Sequence, residues 1–405
     1  MAMAHAIDVA LMEKIKKQGP GGTLDVSACF NCGNCTAVCP LAEDSSGFPR
    51  RVIRMAQVGM EKELLADEDI WRCYACGECT KTCPREADPM QFMAAARSYA
   101  ISRYDVTGLA RLMYRSWIGN VLVFLALSSF FYLLLLSHQG GMQMGSNGAI
   151  FSGYGSTQLF HYIPGEWVHV IGIALFSVIG ISLAFGVISM AYRVIGKKNQ
   201  AGERPPCPLA ALPAAIWFAV MDALNHRRFR QCEKEEAPSD QPVYLRPWFV
   251  HGAIMWGFLA MLVATTVDYL FKPIGSPVPP WYPMRILGTL GGLFCLYGLG
   301  IAISRRVSAK ETPYDKSSFS DWFFLLLLTA TVLTGLLTEI IVYLPHPTVF
   351  GYMTFLAHII LAMDLLIMMP LTKFAHVIYR TLALALHQWA KAPAPQTATA
   401  AESNA

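Results

Sequence analysis

Charged residues are scarce in this sequence. Lys, Arg, Asp and Glu make up 15% of its 405 residues, whereas hydrophobic residues make up 54%. The segments 117–136 and 167–192 contain no charged residue at all. The formal net charge is only +4, and the basic residues fall in short segments between apolar ones, so the composition argues against a nucleic-acid-binding protein. The sequence is typical of a membrane protein.

Several motifs that would indicate substrate chemistry are also absent. We find no glycine-rich nucleotide-binding loop, no arrangement typical of a hydrolase triad and no flavin-binding fingerprint. Adjacent cysteine pairs, which a heterodisulfide-type catalytic module would use, do not occur. No signal peptide is recognisable, because the first apolar stretch long enough to enter a bilayer begins near Trp117. We therefore expect any substrate chemistry to take place on another chain.

The cysteines, in contrast, are concentrated and ordered. Eight of the eleven form two copies of one motif, Cys-x2-Cys-x2-Cys-x3-Cys-Pro, which begin at Cys29 and Cys73. This run is typical of proteins with two [4Fe–4S] clusters, in which the fourth cysteine of each run ligates the other cluster. The predicted ligands are Cys29, Cys32, Cys35 and Cys83 for the first cluster, and Cys73, Cys76, Cys79 and Cys39 for the second.

Structural zinc is the alternative for these cysteines, because zinc sites also use Cys-x2-Cys pairs. Two complete runs of four cysteines favour the clusters. Thiolate ligands need a reducing compartment, so we expect this region to lie in the cytoplasm. The remaining cysteines, Cys207, Cys232 and Cys295, fit no motif.

The segment between the two motifs predicts a helix rather than a β-hairpin. Val52, Ile53, Ala56 and Met60 follow a spacing close to helical, and Gly59 is suited to end the helix. We therefore predict an all-α fold in three parts. These are a helical two-cluster ferredoxin-like domain (1–105), a membrane helix bundle (106–390) and a disordered tail (391–405).

Six segments are long and apolar enough to cross a bilayer, which takes about 20 residues. Lys and Arg are frequent in 194–247 and 305–321 and absent from 137–166 and 344–351. By the positive-inside rule, we expect a multi-pass protein of the cytoplasmic membrane with both termini in the cytoplasm. The predicted spans are Trp117–Leu136, Trp167–Tyr192, Trp248–Phe271, Ile286–Ser304, Trp322–Tyr343 and Tyr352–Tyr379.

Histidines in or beside the spans predict haem ligands, because ionisable residues at membrane depth are rare and usually functional. His358 and His376 are 18 residues apart. In one continuous helix this spacing equals about five turns, which places both side chains on one face, about 27 Å apart. Such a helix suits two stacked b-type haems in a cytochrome b type bundle. Matching by depth pairs His251 with His376 for the inner haem, and His169 with His358 for the outer one.

The outer side of the membrane offers alternatives. His161 and, less favourably, His138 compete with His169 as a haem ligand, and each histidine taken singly could be an ordinary interfacial residue. Asp268 and Glu339 lie near the outer ends of their spans. Together with His161 they are candidates for proton exchange with a quinone, or they are interfacial caps.

Basic residues near the inner haem level are candidates for haem propionate contacts. They are Arg246, Lys373 and Arg380, which would equally serve as positive-inside anchors. The stretch Ala215–Arg230 is amphipathic and basic at its end, which predicts a helix on the cytoplasmic membrane surface.

The two halves of the sequence resemble known redox proteins. CFNCGNCTAVCP, PRRVIRMAQVG and IWRCYACGECTKTCP resemble the C subunit of heterodisulfide reductase. The histidine spacing, WFVHG and PLTKFAH resemble the nitrate reductase gamma subunit and the E subunit of heterodisulfide reductase, which is its cytochrome b. A single chain joining the two, over about residues 24–390, is similar to the C subunit of the quinone-interacting membrane-bound oxidoreductase complex. In the nitrate reductase gamma subunit the early helix carries two haem ligands ten residues apart, but ten residues after His251 this sequence has Met261. The outer haem would then use His169 from a different span, use Met261, or be missing.

That resemblance implies a component of a quinone-linked oxidoreductase with two [4Fe–4S] clusters, two haem b groups and menaquinone as the membrane substrate. It implies flavin-containing cytoplasmic partners related to the A subunit of heterodisulfide reductase (QmoA and QmoB type), and adenylylsulfate reductase as the acceptor in dissimilatory sulfate reduction. Two alternatives remain open. One is a membrane redox subunit of a heterodisulfide-reductase-like or nitrate-reductase-like complex with another acceptor, and the other is a transporter whose clusters form a sensor domain.

Overall fold

The computed structural model describes residues 7–19, 24, 26–43, 47–137, 151–152, 155–156, 163, 165–197, 207–227, 229–230, 241–271, 278–310, 312, 314–344 and 348–392. These residues are mostly helical, and strands among them are limited to one antiparallel pair, β1 (Phe151–Ser152) and β2 (Gly155–Ser156). The predicted all-α fold class is confirmed. The predicted tail lies outside the described residues apart from Lys391 and Ala392.

Short helices build the cysteine region. The longest of them, Pro89–Tyr104, starts after Asp88, whose carboxylate accepts a hydrogen bond from the backbone N–H of Gln91 at 3.3 Å. Large side chains such as Phe92 and Tyr104 are fully buried, so this helix is at the centre of the local core. The helices of this region are α1 (Leu11–Lys16), α2 (Asn34–Ala37), α3 (Arg50–Gln57), α4 (Glu61–Leu65), α5 (Asp69–Arg72), α6 (Glu78–Lys81) and α7 (Pro89–Tyr104), and α8 (Leu109–Arg115) follows it in the chain.

Six helices among the described residues are long and apolar enough to cross a membrane, which confirms the predicted number of spans. Two further helices, α11 (Leu212–Asn225) and α16 (His376–Ala390), are shorter. The six are α9 (Trp117–Leu136), α10 (Gly165–Ile195), α12 (Pro247–Phe271), α13 (Pro283–Ser308), α14 (Phe319–Val342) and α15 (Val349–Ile367).

The last predicted span is wrong in its extent. The sequence predicted one helix over Tyr352–Tyr379, but α15 ends at Ile367 and two 3₁₀ turns, Met369–Leu371 and Lys373–Ala375, precede α16. Pro370 explains the break, because proline has no backbone N–H to donate and its ring clashes with the preceding turn of a helix. His358 and His376 therefore lie on different helices, and the five-turn alignment that joined them does not hold.

Close backbone contact joins α12 and α13. A Cβ atom at Gly257 would lie 2.5 Å from the carbonyl oxygen of Gly291 and 2.7 Å from the backbone nitrogen of Cys295. Small residues let membrane helices approach to this distance and gain packing contacts along their length. Gly257 is therefore required by the packing of these two spans.

Packing divides the chain into two compact units. The first comprises Met1–Val106, Ala184–Pro238 and Ala375–Ala405, and the second comprises Thr107–Leu183 and Ser239–Phe374. The predicted domains, 1–105, 106–390 and 391–405, stay predictions. The units are not continuous in sequence: α11 and α16, which the prediction assigned to the membrane region, are part of the first unit.

Apolar side chains account for that difference. In the first unit, the rings of Trp71 in α5 and Tyr379 in α16 lie 5.0 Å apart between centroids. Ala219 of α11 is fully buried in a cluster with Leu384 and Ala385 of α16. Burial of these surfaces gives α11 and α16 their place beside the cysteine region.

Candidate electron-transfer sites

The two cysteine motifs share one local backbone conformation. Asn31 and Ala75, which occupy equivalent positions, have φ angles of 61° and 55°. Gly33 and Gly77 follow with φ angles of 91° and 98°, and each leads directly into a four-residue helix, α2 or α6. Glycine is suited to these two positions because it adopts positive φ without steric cost. The repeat in the sequence is therefore also a repeat in structure.

The structure brings the fourth cysteine of the first motif to the second motif. Cys39 lines one cavity together with Cys73, Cys76 and Cys79. Burial raises the pKa of Cys79 far above its usual range, and the neighbouring thiols of Cys73, Cys76 and Cys39 raise it further, with the weakest contribution from Cys35. Four thiols in one partly buried place suit a metal centre, because binding to iron stabilises the thiolates.

The complementary set lies around Cys35. Burial raises the pKa of this thiol, and the thiols of Cys29, Cys32 and Cys83 raise it further, while a hydrogen bond with Thr36 acts in the opposite direction. The structure thus places Cys39 near the second motif and Cys83 near the first, and which cysteines hold which cluster stays a prediction. Backbone N–H groups also point at the sulfurs: the N–H of Ala87 lies 3.4 Å from Sγ of Cys83.

The sulfur spacing does not suit zinc. A tetrahedral zinc ion with Zn–S bonds of about 2.3 Å holds its sulfurs about 3.8 Å apart. Among the described residues, which include all eight motif cysteines, no three cysteine sulfurs lie within 4.8 Å of one another. The group that does come this close, Glu68, Asp69 and His387, pairs its carboxylates with Lys197 and Arg72. Wider spacing suits a cluster, whose four thiolates bind four different iron atoms.

Hydrogen bonds to the first cysteine of each motif differ between the two. The carbonyl oxygen of Cys29 accepts a hydrogen bond from the side-chain amide of Gln57 in α3 at 2.9 Å. The carbonyl oxygen of Cys73 accepts one from Arg97 in α7 at 2.8 Å and one from Arg380 in α16 at 3.2 Å. The equivalent backbone group thus meets a neutral donor in the first motif and two cationic donors in the second.

His358 in α15 has the surroundings of a metal ligand. Its Nδ1 atom lies 3.1 Å from the carbonyl oxygen of Thr331 and 3.3 Å from Oγ1 of Thr334, both in α14. A carbonyl oxygen can only accept, so Nδ1 carries the proton and Nε2 presents its lone pair. Ligating histidines are typically oriented by such a bond from the other ring nitrogen.

The other predicted haem ligands among the described residues lie on α10, α12 and α16. His169 lies in α10, and its ring is 4.5 Å from the ring of Tyr269 in α12. His251 lies in α12 within the second unit, and His376 is the first residue of α16 in the first unit. Met261 lies in α12, where its backbone nitrogen approaches Gly291. His161 and His138 lie outside the described residues.

Two of the basic residues predicted to contact haem propionates are engaged elsewhere. The ammonium group of Lys373 lies 2.6 Å from the carboxylate of Asp321 and 3.1 Å from the hydroxyl of Ser318. The guanidinium group of Arg380 donates to the carbonyls of Cys73 and Trp71 and stacks over the ring of Tyr74, 3.7 Å from its centroid. These contacts depend on how the helices pack, which the positions of the two residues in the sequence do not reveal. Arg246 donates to the carbonyl of Gln241 at 3.3 Å.

Carboxylates occur within the spanning helices of the second unit. Glu339 in α14 accepts a hydrogen bond from Thr289 in α13 at 2.6 Å. Oδ1 of Asp268 in α12 is buried without a hydrogen-bond partner among the described residues. Asp364 in α15 is fully buried and accepts a hydrogen bond from Ser128 in α9 at 2.5 Å. Such polar pairs in lipid-embedded helices mark candidate proton and quinone positions.

Sequence reasoning missed Arg97, Gln57 and Thr331. A similar position in the sequence could have indicated Arg97 and Gln57. Each lies on a helix that follows its motif, Arg97 24 residues after Cys73 and Gln57 28 residues after Cys29. Thr331 acts through its backbone carbonyl, which no sequence pattern reveals.

Two known protein families match separate parts of the chain. Residues 25–87 match the family described as a 4Fe-4S dicluster domain. Residues 106–398, more than half of the chain, match the family described as citrate utilization protein B. The chain belongs to this family. This citrate utilization protein B relative thus carries a two-cluster iron–sulfur region ahead of its family region, and the prediction of two [4Fe–4S] clusters is confirmed.

Curated relatives match the iron–sulfur region of this citrate utilization protein B family member. The C subunit of the H(2):CoB-CoM heterodisulfide,ferredoxin reductase of Methanothermobacter marburgensis is 40% identical over 65 residues, which are 16% of this chain and 34% of the relative. The iron-sulfur C subunit of the CoB--CoM heterodisulfide reductase of Methanopyrus kandleri is 35% identical over 48 residues, which are 12% of this chain and 25% of the relative. The chain therefore spans about a third or less of these relatives. The protein combines an iron–sulfur electron-transfer region similar to theirs with a multi-pass membrane region.

Proposed function

We propose that this chain is a membrane electron-transfer subunit that connects menaquinone with a cytoplasmic flavoprotein partner through haem b and two [4Fe–4S] clusters. The observation that carries the proposal is the docking of α16 on the cysteine region. Tyr379 lies three residues after His376, and Trp71 lies two residues before Cys73, and their rings are 5.0 Å apart. A helix that begins at a candidate haem ligand thus packs directly beside a candidate cluster ligand.

Haem binding is proposed at two positions. His251 with His376 would hold the inner haem, and His358 with His169, His161 or Met261 would hold the outer one. The proton on Nδ1 of His358 supports this, because it leaves Nε2 in the form that binds iron. Each bound haem or cluster would accept and pass on one electron. The chain's own part would be to hold these groups through the named side chains.

The cluster assignment follows the two groups of four thiols. We propose that Cys29, Cys32, Cys35 and Cys83 hold one cluster, and that Cys73, Cys76, Cys79 and Cys39 hold the other. The cavity that Cys39 shares with the second motif supports the exchange. The Lys-rich and Arg-rich segments support a cytoplasmic position for this region and for both termini.

Oxidation of menaquinol releases two protons, so a quinone site in the bilayer needs groups that accept them. Asp268, Glu339 and His161 are proposed for this role. The unpartnered Oδ1 atom of Asp268 and the 2.6 Å hydrogen bond between Thr289 and Glu339 support the first two. His161 rests on its position in the sequence.

A reduced absorption spectrum of the purified full chain tests the proposal. With dithionite we expect the α-band of b-type haem and two haems per chain. His358→Ala should reduce the content to one, whereas Thr334→Val should leave it unchanged, because the Thr331 carbonyl remains. A complete absence of the α-band would contradict the haem proposal and would favour the transporter hypothesis.

The partner is tested by isolating the complex in mild detergent. We propose flavin-containing partners similar to the A subunit of heterodisulfide reductase, and adenylylsulfate reductase downstream of them. The match to the citrate utilization protein B family favours a second candidate, in which the same relay serves a partner in citrate utilisation. Co-purification of a different flavoprotein would replace the first candidate and leave the membrane relay intact.

A further inference from the structure

Two arginines contact the second cysteine motif, and their charges bear on how electrons are distributed between the two clusters. Arg97 and Arg380 come from α7 and α16, and both donate to the carbonyl oxygen of Cys73. Arg380 also donates to the carbonyl of Trp71 at 3.2 Å. Both arginines are only partly exposed to solvent. Their charges are therefore less screened than those of surface arginines.

The first motif meets a neutral donor at the equivalent position. The amide of Gln57 donates to the carbonyl of Cys29 at 2.9 Å and is itself held by Asn31, whose side chain donates to Oε1 of Gln57 at 2.7 Å. Gln57 is thus fixed as a hydrogen-bond donor without adding charge. The two motifs have near-identical backbone conformations. The charge of the donors at this carbonyl is therefore a clear difference between the two cluster sites.

Other charges also lie near the motifs. Asp222 is buried and accepts a hydrogen bond from Tyr74, the residue after Cys73, at 3.4 Å, so it offsets part of the positive charge of the two arginines. Arg85 and Arg50 lie by the first motif: Arg85 is 3.4 Å from the carbonyl of Ala28, and Arg50 lies beside Gly33. Both are exposed to solvent, where screening weakens their field. Glu78 lines the cavity of the second motif, and Lys81 neutralises it at 2.5 Å.

We propose that Arg97 and Arg380 raise the reduction potential of the second cluster above that of the first. Reduction adds one electron to a cluster and makes or breaks no bond, so positive charge close to the ligands favours the reduced form. Net charge and hydrogen bonding are established determinants of these potentials. The second cluster is thereby the one that holds an electron first. The inference rests on the cluster assignment within the proposed function and is independent of haem and menaquinone.

A redox titration of the full-length protein in mild detergent, followed by electron paramagnetic resonance, tests this. In Arg97→Gln and Arg380→Gln, we expect the higher of the two cluster midpoints to fall while the lower one stays. We expect a roughly tenfold change in the reduction equilibrium of that cluster, or about 59 mV for one electron.

Matched variants separate charge from general damage. Arg103→Gln removes an arginine from the same helix, where it pairs with Glu61 at 2.8 Å, and should leave both midpoints unchanged. Arg97→Lys keeps the positive charge, so we expect the higher midpoint to stay close to that of the unsubstituted protein. Unchanged midpoints in both Gln variants at full iron content would overturn the proposal, as would equal shifts of both clusters.

A reciprocal variant keeps the test decisive if a Gln variant loses iron. Gln57→Lys places a positive charge at the Cys29 carbonyl and should raise the lower midpoint toward the higher one. A lower midpoint that does not move in this variant would also overturn the proposal. Failure of the haem proposal would appear differently, as a missing α-band with both cluster midpoints still present.

Discussion

Nδ1 of His358 lies 3.1 Å from the carbonyl oxygen of Thr331, which fixes the protonated nitrogen of this imidazole inside a membrane-spanning helix pair. The ring can come this close to α14 because the neighbouring position is Gly335. A Cβ atom there would lie 2.9 Å from Cε1 of His358. The glycine is therefore part of the candidate haem site although it offers no ligand atom.

Gly335→Ala should displace the His358 ring without removing it. We expect a loss of outer haem or a shifted α-band, because the added methyl group occupies the space of the ring. The reduced spectrum and the haem content per chain measure this. Gly300→Ala in α13 is the control, since no atom lies within 4 Å of its added Cβ. Equal spectra for both variants would contradict the placement of His358.

The α12–α13 contact predicts an effect on stability. Gly257→Ala would bring a methyl group to 2.5 Å from the carbonyl of Gly291, so the two helices must separate. We expect a loss of about 1–3 kcal/mol in the free energy of unfolding, which is typical of overpacking. Thermal unfolding in detergent measures it. Gly288→Ala, whose methyl group would meet Ala264 at an ordinary 3.7 Å, should remain close to the unsubstituted protein.

Glu68 predicts a pH dependence in the first unit. Burial alone would raise its pKa, but hydrogen bonding with His387 and the charge of Lys197 outweigh burial and lower the pKa from 4.5 to about 2. A folded-state pKa below the unfolded value contributes stability above about pH 4.5, and this contribution is lost as the pH falls toward 2.

The matched variant for this prediction is Glu68→Gln. Its deficit in the free energy of unfolding should be on the order of 3 kcal/mol at about pH 5. The deficit should shrink at lower pH, where Glu68 of the unsubstituted protein becomes protonated. Comparing the two proteins at each pH removes the acid sensitivity that they share. A deficit that grows on acidification would contradict the pKa of Glu68.

The exchange of the fourth cysteine predicts which variants act alike. Cys39→Ser and Cys73→Ser should abolish the same paramagnetic signal, and Cys29→Ser and Cys83→Ser should abolish the other one. The reason is that Cys39 shares its cavity with the second motif. If Cys39→Ser and Cys29→Ser removed the same signal instead, each motif would hold its own cluster.

Local patterns were sufficient for much of the fold. The spacing of the two cysteine runs predicted two clusters, because cysteines separated by two residues in a short loop can reach one cluster without distant help. The six apolar segments predicted six spans, because length and hydropathy alone determine whether a helix can cross a bilayer. The exchange between the motifs followed from the same rule. Cys39 lies in the cavity of the second motif, and the exchange itself stays a proposal.

The histidine alignment shows where such reasoning ends. It assumed that helix geometry continues from His358 to His376, and Pro370 ends the helix between them. The haem residues therefore stay a proposal that rests on the surroundings of each histidine. Arg380 and Lys373 were interpreted by depth in the membrane. The structure places them beside Cys73 and Asp321, and their contact with haem propionates stays a prediction.

The sequence by itself determined the kinds of chemistry present in this protein: two thiolate-rich loops, six apolar helices and a set of histidines. Only the tertiary structure decided which of the two loops receives positive charge. Arg380 is 307 residues away from Cys73 in the chain, and the packing of α16 beside α5 brings them together. Contacts of this kind depend on burial summed over many residues, so no local spacing encodes them.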